Sequence, residues 1–338
     1  MAVNIQEVAR QSGVAISTVS KVINGTGRIS EETAKRVRKV MKDLDYHPSQ
    51  IARNFVLQSS NNIAVVMQFQ KNSIFQGPYY FEILGGIEQV LQREGYMVSV
   101  LTVDDDRDLE GTVERLVQTK KVDGLIIHSS AIETKVIPYA QTHHLPVVVI
   151  GNHQGGGNFC TVDVDDVAAG RLATSHLVVR GMTNPGFFGG PADDPISQNR
   201  CEGYRTELKA SHVPFREDLI VGFPIADQTG SFEALEAVLG RPVGVRPDGV
   251  VCTSNFVAAL VYRVALHLGL RIPEDLGVVA FDNYPLAPFL TPGLTVVTTD
   301  LYGLGSMAAR TLLATLRDVP TPVHSLVGRP ELIIRESC

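Results

Sequence analysis

From Ile63 onward, short runs of apolar and β-branched residues alternate with stretches whose apolar positions recur every three or four residues. Ile63 to Met67, Met97 to Val103, Gly124 to Ile127 and Val147 to Ile150 predict strands; Phe81 to Glu94, Leu109 to Lys120 and Val136 to Thr142 predict helices. That is a repeated β-α-β order. After Val167 the rhythm restarts: helix 167–179, strand 185–188, helix 199–210, a strand near 219–223, helix 229–239, strand 249–252, helix 255–268 and strand 277–281. The pattern predicts an α/β protein with two doubly wound parallel-sheet lobes of similar size. Two facing lobes place a small molecule in the cleft outside the carboxyl ends of their strands.

The first 60 residues show helical periodicity and polar punctuation, and predict three short helices. Asn4 caps the first, with Glu7 three positions on as the second half of a capping box, and Gly13 closes a tight turn before a helix through Ile16 to Ile23. Gly25 and Gly27 end that helix. Ser30 caps the third, which offers Val37, Val40, Met41 and Leu44 to a core and keeps Lys35, Arg36, Arg38, Lys39 and Lys42 in water.

A chain of 338 residues has room for about two domains of ~150 residues and a large core. Four cysteines (Cys160, Cys201, Cys252, Cys338), none in a C-x-x-C pair, and the lack of a leader-like start suggest a reducing, cytoplasmic setting rather than a disulfide scaffold. Apolar runs such as Pro146 to Ile150 are too short to cross about 30 Å of hydrocarbon, so no membrane partner is expected. The net charge of −6 is unevenly placed: residues 1–60 carry +4 and the remainder −10. A small basic module on an acidic body fits nucleic-acid binding by one end only.

Within IQEVARQSGVAISTVSKVIN, residues 5–24, Ala9, Gly13 and Val19 have the spacing of a helix-turn-helix: a small residue where helices touch, a turn glycine, then a β-branched core residue. Val19, Val22 and Ile23 form the buried face of the second helix, leaving Ile16, Ser17, Ser20, Lys21 and Asn24 on a short polar face suited to a major groove. Ser17 and Lys21 lie one turn apart and reach base edges, with Lys21 suited to guanine N7 or O6; Thr18, Ser20 and Asn24 are better placed for phosphates.

These residues resemble the lactose-repressor and galactose-repressor (LacI/GalR) family of bacterial transcription regulators. The stretch VARQSGVAISTVSKVINGTGRISEETAKRV, then LDYHP and SQIAR, is similar to the family's headpiece and hinge. Further matches follow in order: EILGGIEQVLQREGY, KVDGLII, GRLATSHL, GGP, RCEGYR, IPEDLGVVAFDN and PGLTVV. The resemblance implies a palindromic operator with a central C-G step, a homodimer, and effector lobes similar to periplasmic sugar-binding proteins. It implies that PSQIARNFVL (48–57) is a hinge that becomes helical on DNA, with Arg53 facing phosphate and Phe55, where leucine is usual, entering the minor groove as a wedge. It assigns Arg200 from RCEGYR, Asn255 from TSN and Asp282 from FDN to the effector, a polyol by their chemistry. Tyr79 and Tyr80 replace the usual paired phenylalanines and are expected to stack on a sugar face. The chain departs from the family at Ala15, where a serine usually caps the recognition helix and Ser17 is a substitute candidate, at Phe256, often aspartate, and in a loop about 68–77 some five residues longer.

The expected division is a headpiece at 1–46, a hinge helix and linker at 47–61, and an effector-binding and dimerisation unit at 62–338. Lobe 1 is expected at about 62–162 and 293–320, lobe 2 at about 163–290 and 323–338. Because no heptad tail follows the last strand, a dimer is expected over a tetramer. Gly303-Leu-Gly305-Ser-Met-Ala308 fits a dinucleotide fingerprint, but Pro320 and Pro322 interrupt the β-α-β continuation it needs, and close helix packing accounts for the glycines. His143, His144, His153 and Cys160 lack metal-ligand spacing, and no nucleophile elbow or P-loop occurs. The sequence therefore points to a DNA-binding repressor controlled by a small molecule, needing no cofactor or metal. The alternatives are a sugar-binding transport component, which needs a signal peptide, and an enzyme on the same fold, which needs a reactive group in the cleft.

Overall fold

The computed structural model describes residues 4–47, 59–68, 77–103, 109–131, 136–151, 159–190, 194–223 and 228–338. Three helices, α1 (Ile5–Ser12), α2 (Ile16–Asn24) and α3 (Glu31–Asp43), close around Val8, Ala9, Val19, Val22 and Val37. The turn between α1 and α2 runs through Gly13 at φ +66°, a left-handed conformation that costs glycine little, and the Gly13 N–H donates back to the carbonyls of Ala9 and Arg10. Asn4 caps α1 as expected by accepting from the Glu7 N–H at 3.0 Å. The other half of the capping box does not form: the Glu7 carboxylate is taken by the Arg10 and Gln11 side chains, which lie on its own helix face. Ser30 caps α3, and Arg36, expected to be solvated only, donates from Nε to the Ser12 carbonyl at the end of α1.

The remainder forms two six-stranded sheets. The first has the order β11 (His324–Leu326), β5 (Cys160–Asp163), β4 (Val147–Ile150), β3 (Gly124–His128), β1 (Asn62–Gln68), β2 (Met97–Val103), and every pairing in it is parallel. The second has the order β12 (Glu331–Ile333), β10 (Thr295–Thr298), β9 (Gly277–Phe281), β8 (Gly249–Cys252), β6 (Pro185–Phe188), β7 (Ile220–Val221), parallel except where β12 runs antiparallel to β10. Central strands covered on both faces have no polar side to offer, which is why GLII (124–127), VVVI and GVVAF read as unbroken apolar runs and are buried throughout.

The expected lobe boundaries near the carboxyl end require correction. Residues 295–298 were assigned to lobe 1, yet Val296 pairs with Ala280 and Val297 with Phe281 in the second sheet, and both valines are fully buried there. His324 to Leu326 were assigned to lobe 2, yet they pair with Thr161 to Asp163 in the first sheet. The chain thus crosses between lobes after β5, after β10 and after β11. The proline-marked break at 320–322 misled the boundary, because those prolines lie within lobe 1, between a helix and an edge strand.

Two helices of lobe 1, α4 (Gly77–Arg93) and α11 (Leu301–Leu316), run side by side at unusually close range. A Cβ on Gly86 would sit 2.0 Å from the Tyr302 carbonyl oxygen, and one on Gly305 would sit 2.0 Å from that of Ile83. Close packing therefore accounts for Gly305 of the dinucleotide-like run, and Gly303 lies against the Asp300 cap. Because backbone cannot give way as a flexible side chain would, Gly86→Ala is expected to destabilise the protein by about 3 kcal/mol, read as a lower urea midpoint at unchanged slope. An unchanged midpoint would show that the helices separate freely.

Candidate functional site

On α2 the outward side chains are Ile16, 46% exposed, Ser17 and Lys21; Thr18, Ser20, Ile23 and Asn24 are half-buried. The sequence grouped Thr18, Ser20 and Asn24 as phosphate contacts. In the structure Asn24 Nδ2 donates to Ser20 Oγ at 3.3 Å, so these two first engage each other. The Lys21 stem runs against Gly27, 3.3 Å from where a Cβ would stand. Ala15 stands at the N-cap of α2 with no side-chain cap, and Ser17, inside the first turn, does not replace it. Arg53 and Phe55 lie outside the described residues.

At the other end of lobe 1, where strands meet the interlobe cleft, Tyr79 on α4 hydrogen-bonds through its hydroxyl to His128 Nε2 at 3.1 Å. Both tyrosines stand edge-on to the His128 ring. Tyr80 is only 5% exposed and packs into the first sheet's core, whereas Tyr79 is partly buried against the same cluster. His128 ends β3, a polar residue after an apolar run, and the sequence reading passed over it. Burial pulls its pKa down to about 4, opposed by Asp194, so it is neutral at pH 7.

Across the cleft, helices α7 (Asp166–Val179) and α8 (Pro195–Ala210) cross with backbones nearly touching: a Cβ on Gly170 would lie 2.1 Å from the Arg200 carbonyl oxygen. That crossing sets the Arg200 side chain against Asp166, its Nε donating to Oδ1 at 2.8 Å with the two side chains 5% and 4% exposed. Arg200 Nη1 donates to the Thr253 carbonyl at 2.8 Å, and its guanidinium lies 4.1 Å from the Phe281 ring centroid. Burial works against its charge, but the Asp166 and Asp282 carboxylates outweigh it and raise the Arg200 pKa. Asp166, missed by the sequence reading, sits in the run VDVDD, where it opens α7 directly after β5.

Asn255 opens α10 (Asn255–Leu268) and donates from Nδ2 to the carbonyls of Phe281 and Asp282 at 2.6 and 2.7 Å. Asp282 follows β9 with φ +69°, and its N–H donates to the Val297 carbonyl at 2.8 Å. Buried side-chain acceptors without a partner among the described residues include Asp282 Oδ1 and Asn255 Oδ1; the Thr299 hydroxyl is unpaired too. Such atoms cost stability until a donor arrives. The two lobes meet electrostatically here: Tyr79 is raised well above an ordinary tyrosine by burial, with Asp166 and Asp282 adding to it and Arg200 opposing. Arg200, Asn255, Asp282 and Tyr79 are thus gathered at one place, joined by His128, Asp166 and Phe281.

Burial pushes Asp282 up to about 6, with Arg200 opposing and Asp166 and Glu82 adding; burial likewise pushes Asp163 up to about 7. The folded state holds these protons more tightly than the unfolded chain, so their contribution is complete below about pH 4 and is lost as pH rises through 6 to 7. In the ligand-free protein, Asp282→Asn, a residue that also tolerates the left-handed backbone, is expected to raise stability by about 2 kcal/mol at pH 7.5 and by almost nothing below pH 4. Thermal melts across that range check it, and a gap independent of pH contradicts it.

Residues 4–49 match the family of bacterial regulatory proteins, lacI family, and residues 174–338 match the periplasmic binding protein-like domain. The HTH-type transcriptional regulator DegA of Bacillus subtilis (strain 168) is 30% identical over 341 residues, covering 100% of this chain and 98% of the relative. A ribose operon repressor of Haemophilus influenzae is 28% identical, covering 98% of each. Among solved structures, the transcriptional regulator CelR-cellobiose complex superposes with a TM-score of 0.75 at 26% identity, covering 99% of this chain and 100% of the other. The lac repressor dimer bound to operator and an anti-inducer shares the fold, with a TM-score of 0.83 at 21% identity, 100% of this chain and 99% of the other being covered. With a helix-turn-helix at one end, a two-sheet cleft at the other and full-length relatives of the same build, the chain belongs to the lacI family of bacterial regulatory proteins.

Proposed function

We propose that this protein is a homodimeric, cytoplasmic repressor that binds a palindromic operator through α2 and is controlled by a neutral polyol, a sugar, held between its lobes. One observation carries the reading: a helix-turn-helix whose second helix keeps Ile16, Ser17 and Lys21 in solvent is joined in one chain to a cleft with buried, unpaired acceptors at Asp282 and Asn255. Ile16 offers a contact for a thymine methyl, Ser17 and Lys21 reach base edges, and Thr18, Ser20 and Asn24 turn toward phosphate. Phe55 as a minor-groove wedge and Arg53 as a phosphate contact complete the interface.

In the cleft, hydroxyl donors of the sugar satisfy Asp282 Oδ1 and Asn255 Oδ1, and Tyr79 covers one face of the ring. Arg200 serves chiefly by holding Asp166, Thr253 and Phe281 in place. Asp282 ionises more readily once a hydroxyl donates to it, so ligand binding also removes a cost that the empty cleft bears. A ligand shifts operator affinity only by its different affinity for two lobe arrangements, typically about 1–3 kcal/mol of coupling. A transport component has no use for the headpiece, and that reading is set aside.

Lys21→Ala is expected to lose about 1–3 kcal/mol of discrimination between operator and scrambled duplex while keeping most of its general DNA affinity and salt dependence. Fluorescence anisotropy at two salt concentrations reads both quantities. A variant that discriminates as the parent does places base reading elsewhere.

A thermal-shift screen of neutral sugars, ribose and cellobiose among them, supplies a ligand for calorimetry. Asp282→Ala is then expected to bind it at least about tenfold more weakly, with operator affinity in the absence of sugar retained. Unchanged sugar affinity in this variant sinks the cleft assignment.

A further inference from the structure

Asp123 stands in the turn between α5 (Leu109–Gln118) and β3, at the amino-terminal edge of the first sheet. There the chain arriving from the headpiece enters lobe 1. The carboxylate is divided over three consecutive residues of that chain. Oδ2 accepts from the Ser59 hydroxyl at 2.5 Å and the Asn61 N–H at 2.9 Å; Oδ1 accepts from the Ser60 N–H at 2.7 Å and the Ser60 hydroxyl at 2.9 Å. The stitching continues into the sheet: Asn62 Nδ2 donates to the Lys121 carbonyl at 2.9 Å, the Asp123 N–H to the Asn62 carbonyl at 2.8 Å, and the Met97 N–H to the Asn61 carbonyl at 2.8 Å. Asn61 is held at φ +48°, so the chain turns sharply at the clasp.

Lobe 2 repeats the device where no DNA-binding segment arrives. Asp248, in the turn before β8, accepts from the N–H and hydroxyl of Thr183 through Oδ2 at 2.7 and 3.1 Å, and from the Asn184 N–H through Oδ1 at 3.0 Å. Asn184 Nδ2 donates to the Arg246 carbonyl at 2.7 Å, just as Asn62 does to Lys121. In lobe 2 the clasped chain comes from the end of α7 and only links two parts of one lobe. In lobe 1 the clasp reaches one residue further, to Ser59, and the chain beyond it leads to the headpiece.

We infer that Asp123 is a positioning residue for operator binding: it fixes the direction in which the segment joining lobe 1 to the headpiece leaves the sheet edge, so that lobe movement reaches the DNA instead of being lost in a slack junction. The inference rests on the DNA-binding reading above. A specific complex needs two headpieces at one spacing on a palindrome, and slack at each junction lowers the effective concentration of the second headpiece after the first has bound. Non-specific binding rests on phosphate neutralisation and makes no such demand.

The experiment uses the full chain, a duplex selected by the parent protein from a random pool, and a scrambled duplex of equal length. Asp123→Asn, which keeps the shape and loses one acceptor oxygen, is expected to lower affinity for the selected duplex about tenfold while affinity for the scrambled one stays within about twofold. Asp248→Asn serves as the twin: its melting temperature falls by a similar amount, and its preference between duplexes is unchanged. Equal loss of preference in both variants, or full preference in Asp123→Asn, overturns the inference. Should Asp123→Asn not fold, the Ser59→Ala/Ser60→Ala double variant takes its place, with reduced preference expected and full preference overturning. Lys21→Ala, run alongside, separates the two ideas: loss of preference there with none at the junction overturns the junction alone, whereas a parent without a preferred duplex overturns the DNA reading and the junction with it.

Discussion

A guanidinium shut away from water must find an anion, an acceptor or a ring face for each side it presents, and lobe 2 is arranged to meet that demand at Arg200. Asp166 supplies the charge, the Thr253 carbonyl an acceptor, and the Phe281 ring a face. Each partner belongs to a different element, at the start of α7, the end of β8 and the end of β9. Satisfying one side chain thus fixes the relative placement of three strand-to-helix junctions, which are the same junctions that present Asn255 and Asp282 to the cleft. The close approach of α7 and α8 at Gly170 and Gly203 is what lets the arginine reach its carboxylate. A removed partner would leave a buried charge unpaired, so the knot is either whole or costly.

Lobe 1 presents a softer wall. Tyr79 and a neutral His128 meet the acid-bearing wall opposite with a hydroxyl and an uncharged ring. The arginine and its two carboxylates belong to lobe 2, and Glu82 on α4 of lobe 1 adds its own charge to the upward push on Asp282.

Much of this architecture was legible because parallel strands covered on both faces leave no room for polar residues, and runs such as Gly277–Phe281 announce themselves. The headpiece was legible through its punctuation: Asn4, Gly13, Gly25 and Ser30 each do in the structure what their residue type does in a turn or cap. Pairing order was not legible. Thr295–Thr298 and His324–Leu326 are short β-branched or mixed segments with no local mark of which sheet they join, and only the long-range registers with Val279 to Phe281 and with Thr161 to Asp163 decide it. Family motifs pointed to Arg200, Asn255 and Asp282, which the structure brings together; His128 and Asp166, which it places beside them, drew no notice although each is a polar residue at the end of an apolar strand or just beyond it. Adjacent helical residues point about 100° apart, and the structure turns Tyr80 further into the core than Tyr79, a difference the paired motif does not mark.

The exchange of strands near the carboxyl end has a bearing on how the protein is made. Neither lobe is a continuous stretch of polypeptide: lobe 1 lacks α11 and its edge strand β11, and lobe 2 lacks β10 and β12, until residues 295–333 have emerged. The headpiece is contiguous and precedes both lobes in the chain. A nascent or prematurely ended chain therefore holds a complete DNA-binding module attached to two sheets with unfinished edges, which are surfaces that invite pairing with other chains. The segment 295–338 seals both sheets at once, so the two lobes are completed together.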